Sequence, residues 1–154
     1  LQNCQDRELF TRQRYHLQQV IIEKKLNLKE EQYTLSLNFT AQRTGSAYAI
    51  ELAYPELITE NGTSAADVTS VIRLLYGFSL ELYDNSNGEL LHSFIVTAEN
   101  PPHAEKLIAA LSLGDHIPLV KDKTYELRLT LPGKIDTDKN IPQPVLVMGI
   151  PSAE

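Results

Sequence analysis

One cysteine, no tryptophan and seven glycines in 154 residues exclude a good deal of chemistry before any motif is sought. A lone thiol, Cys4, closes no internal disulfide and builds no cysteine-based zinc site. The glycines are too few and too scattered to cradle phosphates, and the chain has neither GxGxxG nor GxxxxGK. It also lacks the GxSxG elbow of serine hydrolases and the HExxH of zinc proteases. Without Trp, any aromatic platform for a sugar has to come from tyrosine. Positive charge is scarce as well: 14 Lys and Arg against 20 Asp and Glu leave a net charge of −6, the wrong sign for gripping nucleic acid. No apolar run approaches the roughly 18 residues that a membrane-spanning helix needs.

What is present is alternation. Leu28 to Phe39 (LKEEQYTLSLNF) and Val120 to Leu131 (VKDKTYELRLTL) can be laid over each other without a gap. In both, a charged turn leads to a Tyr, and apolar residues then fall on every second position: Tyr33, Leu35, Leu37, Phe39 and Tyr125, Leu127, Leu129, Leu131. A period of two places these on one face of a strand and the polar residues between them on the other. Further strands are expected within Tyr15–Leu28, over Ala47–Tyr54 up to Pro55, over Phe78–Tyr83, over Glu89–Thr97 after the turn-forming Asp84-Asn85-Ser86-Asn87-Gly88, and over Val145–Ile150. Helical spacing predicts one short helix over Ser64–Leu75, ending at Gly77, and a turn or two over His103–Leu111. The first 14 residues are polar and without period, a mobile arm ahead of a single domain spanning 15–154. The predicted fold is mainly β: an antiparallel two-sheet sandwich, immunoglobulin-like, with one or two short helices. Tyr125 and Tyr33, each just after a charged turn, suit the corner device in which a tyrosine hydroxyl pins the preceding loop. Leu35, Leu37, Leu80, Leu82, Leu127 and Leu129 are predicted core residues.

Chemistry-bearing residues do not assemble into a motif. His16, His92, His103 and His116 have no spacing that would put two on one helix face as metal ligands. His103-Ala104-Glu105 has the HxE of zinc deaminases without the downstream cysteines. Asp136 to Asn140 copies the first half of a calcium loop, but Ile141 stands where the turn needs Gly and Val147 where a bidentate Glu is required. Glu51, Glu81 and Glu126 lie among alternating apolar neighbours and are expected to point outward on sheet faces. No catalytic residue, metal site or cofactor is predicted.

Leu1-Gln2-Asn3-Cys4 places a Leu three positions before the only Cys, with a polar segment following. This resembles the cleavage box of bacterial lipoproteins, with Asn3 where such boxes carry Ala, Gly or Ser. Together with the acidic sandwich it resembles small envelope lipoproteins of Gram-negative bacteria, including immunity proteins. The resemblance implies a periplasmic or outer-membrane location, with Cys4 as the lipid attachment and the membrane reached only through that lipid. It also implies a non-catalytic binding module that occludes a partner protein. Residues 1–29 carry six bases and three acids, so the rest, with eight bases and seventeen acids, stands at −9, which suits a basic partner. Asp84, Asn85 and Asn87 in one polar excursion, and Asp136 and Asp138 in another, are the candidate partner-binding residues. Two alternatives belong to other classes: a carbohydrate-binding or glycosidase-like module using the outward glutamates, and a structural envelope subunit that completes another chain's sheet.

Overall fold

The computed structural model describes residues 17–28, 34–45, 47–58, 68–105, 108–114, 116–132 and 142–151. The candidate residues Cys4, Asp136 and Asp138, the predicted corner at Tyr33 and the calcium-like segment lie outside them. Alternation has its expected consequence: two antiparallel sheets face each other across one apolar core. The first contains β1 (Leu17–Lys25), β3 (Ala47–Ala53), β6 (His103–Glu105), β7 (Ala110–Ser112) and β10 (Val145–Pro151) in the order β1-β10-β3-β7-β6, with β8 (Ile117–Pro118) pairing the start of β3. The second contains β2 (Thr34–Thr40), β4 (Ser79–Asp84), β5 (Leu90–Ile95) and β9 (Thr124–Thr130) in the order β2-β9-β4-β5. The fold is a mainly β, antiparallel two-sheet sandwich, as expected.

The two look-alike segments turn out to be hydrogen-bonded neighbours. Leu35 pairs with Leu129, Leu37 with Leu127 and Phe39 with Tyr125, whose rings stack at 5.6 Å. Like residues therefore meet on the inner face, while Thr34 meets Thr130 and Thr40 meets Thr124 on the outer one. Leu80, Leu82, Leu127 and Leu129 are fully buried as expected. Leu35 and Leu37 are only half-buried, a correction whose cause is topological: β2 is an edge strand, so nothing described covers their far side. Strand β10 lies between β1 and β3 and is buried on both faces, which is why VLVMGI reads as an unbroken apolar run rather than an alternating one. Its Val145 and Val147 join Leu17, Ala49 and Ala53 in a second apolar cluster.

Two local expectations need correction. The predicted helix is a 3-10 helix over Val68–Leu75 within the described residues, burying Val68, Val71 and Leu75 and closing at Gly77, which has φ +96°. Val68 and Val71 are one 3-10 turn apart, so the tighter winding keeps both on the core. The described ends of the segment His103–Leu111 are not helical: His103–Glu105 and Ala110–Ser112 are two short antiparallel strands at the rim of the first sheet. Strands of three residues are too short for a period to declare itself, and the apolar residues of that segment satisfy either spacing.

Candidate functional site

Two tyrosines set the shape of the sandwich's ends. The hydroxyl of Tyr125 accepts the backbone N–H of Val120 at 2.9 Å, the corner its charged turn predicts. Tyr48 forms a second corner that the sequence reading missed. Its hydroxyl accepts the N–H groups of Gln42 (3.2 Å) and Arg43 (3.0 Å) and donates to the Arg43 carbonyl (3.0 Å). The available signal was a Thr44-Gly45 turn shortly before an aromatic residue opening a strand.

The polar hairpin between β4 and β5 is tied down rather than projecting. Asp84 N–H donates to the Glu89 carbonyl, Gly88 N–H returns to the Asp84 carbonyl, and Asn85 N–H reaches the Thr124 carbonyl. Asp84 itself is 4% exposed. One carboxylate oxygen accepts the Lys123 ammonium at 2.7 Å, and the other accepts the N–H and hydroxyl of Ser86. The Lys123 ammonium, then the two Ser86 bonds, hold its carboxyl down at about 2. Asp84 therefore locks the hairpin. Asn85 and Asn87 are exposed, but Asn85 donates to Asn38 Oδ1 and Asn87 accepts the Glu89 N–H, so both also brace the turn.

The ordered chemistry lies next to the hairpin, on the outer face of the second sheet. Pairing places Ser36, Arg128, Glu81 and Ser93 in one row across all four strands, with Asn38, Glu126 and Tyr83 in the next. The Arg128 guanidinium sits 4.3 Å from the centroid of the Tyr83 ring and makes two hydrogen bonds to Glu126, at 3.0 and 3.1 Å. Ser36 also donates to Glu126, and the Tyr83 hydroxyl donates to Glu81 at 3.0 Å. Arg128 first, then Ser36, lowers the Glu126 pKa, and the bond to Glu81 raises that of Tyr83. Three strands, β2, β9 and β4, thus contribute to one constellation, and sequence could not find it because its members meet only through register. The apolar Leu90, Leu91 and Ile95 are exposed beside it on β5. A register irregularity after Leu82 sets both Leu90 and Leu91 against Tyr83, which accounts for two consecutive leucines in water.

The third outward glutamate behaves differently. Glu51 shares the outer face of the first sheet with the Ala49, Ala53 and Val147 cluster, flanked by Val147 and Ser112. Its Oε1 is buried without a hydrogen-bond partner, and burial, with a smaller contribution from Glu105, pushes its pKa up to about 7. Glu105 and His103 lie two residues apart on β6, 3.4 Å from each other and well exposed. Among the described residues, no group of three His, Cys, Asp or Glu side chains could hold a metal ion, and no helix is long and apolar enough to cross a membrane.

Comparison with known proteins shows the fold alone. No protein-family model matches the chain, and no curated protein matches it. A crystal structure of a protein from Sulfurospirillum deleyianum is similar over 86% of this chain and 98% of that one, with a TM-score of 0.56 at 8% sequence identity. At that identity the likeness carries over the sandwich and none of the constellation on its second sheet.

Proposed function

We propose that the chain is a non-catalytic cell-envelope binding module of the immunity or inhibitor type, which occludes a partner protein with the outer face of its second sheet. The observation that carries this reading is the Arg128–Tyr83 stack held between Glu126 and Glu81 on an exposed, regular sheet. Arg and Tyr are the residue types that dominate binding energy at protein interfaces. Side chains already fixed by neighbours lose little freedom when a partner arrives. Glu81 and Glu126 beside one arginine leave the constellation with a net negative charge, which favours a basic partner and makes association fall as salt rises. The envelope location and the Cys4 lipid rest on the Leu1–Cys4 box.

The carbohydrate alternative has less support. Glu81 and Glu126 are engaged by Tyr83 and Arg128, and Glu51, whose carboxyl pKa is raised, is half-buried with its Oε1 shut away from water, whereas a glycosidase acid has to reach its substrate. The test is capture from the source organism's envelope with immobilised domain, comparing the parent with an Arg128→Ala, Tyr83→Ala double variant. A protein held by the parent and lost from the variant, whose own enzymatic activity falls on adding the domain, is the expected result. Retention of polysaccharide alone, or of the same protein by both forms, refutes the reading.

A further inference from the structure

Strand β2 ends the second sheet, and among the described residues nothing pairs with its outer edge. Natural edge strands are commonly blunted by charge, proline or a bulge, because an open row of N–H and C=O groups invites another strand. β2 has none of these: TLSLNFT carries no charge and no proline, and its seven pairs with β9 run without a register shift. The adjoining backbone shows which groups are open. Ala41 exchanges bonds with Lys123 and Asp122 on the β9 side. By the period of two, Phe39, Leu37 and Leu35 also point their backbone groups at β9, and Thr34, Ser36, Asn38 and Thr40 point theirs outward. The edge of β5 is a poorer template, since Leu90 and Leu91 form its irregularity and the Ile95 carbonyl accepts Asn100 Nδ2 at 3.0 Å; on β2 the Thr40 carbonyl, at the strand's last residue, accepts Gln42 Nε2 at a longer 3.4 Å, which a second strand would have to displace.

We infer that β2 pairs antiparallel with β2 of a second copy of this chain, about an axis through Leu37, joining the two four-stranded sheets into one. The sequence is self-complementary in that register. Thr34 faces Thr40 and Ser36 faces Asn38 on the outer side, all uncharged groups able to hydrogen-bond across strands. On the inner side Leu37 faces Leu37 and Leu35 faces Phe39, which would cover the half-buried leucines that the monomer leaves at its rim. An acidic chain repels its own copies, and this edge brings no charge opposite another charge. Glu126, one strand inward, is already neutralised by Arg128. A foreign strand could use the same backbone groups, but the pattern symmetric about Leu37 favours the chain's own copy. The interface is small, so the dimer is expected to be weak in dilute solution.

Sedimentation of the full chain between roughly 1 and 300 μM should show a monomer passing to a dimer. Asn38→Pro removes an N–H that β9 does not use. It should weaken dimerisation by roughly tenfold or more, since the symmetry removes two bonds, while leaving the circular dichroism of the monomer unchanged. In a Cys4→Ser background, Leu37→Cys should oxidise to a covalent dimer, because that pair would lie about 4.5 Å apart between Cα atoms, within reach of a disulfide. Leu35→Cys should not, its copies being about 13 Å apart along the strands. A chain that stays monomeric throughout, whether or not it takes up a strand from another protein, overturns the inference. So does a dimer indifferent to Asn38→Pro, or one in which Leu35→Cys cross-links as well as Leu37→Cys.

Discussion

Glu51 and Glu126 occupy equivalent positions in an alternating pattern, yet their surroundings give them opposite character. Glu126 is stabilised as an anion by Arg128 and Ser36, whereas Glu51 has a buried oxygen with no partner and a carboxyl pushed up to about 7 by desolvation and Glu105. The folded protein therefore holds a proton on Glu51 that the unfolded chain releases above its ordinary 4.5. The stability this group contributes is fully present below that value, declines as pH rises, and is gone above about 7. Glu51→Gln, uncharged at every pH, should gain on the parent by about 2 to 3 kcal/mol at pH 8 and match it near pH 4. Urea denaturation at the two pH values measures this, and a constant difference between variant and parent would show that Glu51 is not the titrating group. The alternation predicted that Glu51 leaves the core face. It could not predict that Val145 and Val147 of a strand 90-odd positions later would make the other face apolar too.

Among the elements, the corners were half legible. Lys121-Asp122-Lys123 ahead of Tyr125 announces a turn that a hydroxyl can pin, and the Val120 bond is there. Tyr48 serves three backbone groups of the Gln42–Arg43 turn. Tyr48→Phe should therefore cost more than Tyr125→Phe, about 2 against about 1 kcal/mol, because two N–H groups rather than one lose their acceptor. Paired thermal melts decide the ranking, and equal losses would mean that solvent replaces the hydroxyl at both corners. The strands β6 and β7 were read as a helical turn because three residues hold too little of any period. They became strands because Ala110 and Leu111 find open backbone groups on β3 at Ala53 and Leu52. Pairing with an existing sheet overrode a weak local preference.

At the scale of the whole molecule, edge position decides what a residue is worth. Leu127 is completely buried on β9, between β2 and β4, while Leu35 lies half-buried on the open strand beside it. Leu127→Ala should cost about 2 to 5 kcal/mol and Leu35→Ala clearly less, since a cavity at the rim can fill with water or collapse. Measured below the concentration at which β2 would pair, equal penalties for the two would argue that the rim is closed in solution. Circular dichroism should be dominated by sheet, as the ten described strands require.

The sequence by itself determined the local facts: which stretches alternate, where Pro and the Asn-Gly turn stop them, that two opposed sheets follow, and which motifs are missing. These depend on the backbone period and on turn chemistry, both of which act over a few residues. Only the tertiary structure decided that Asp84 is a buried anchor for Lys123, that Ser36, Glu81, Tyr83, Glu126 and Arg128 share one face, and that Glu51 has one carboxylate oxygen shut away from water. Each of those outcomes depends on register between segments tens of residues apart. A slip of one residue would send every side chain of a strand to the opposite face while leaving its alternation unchanged.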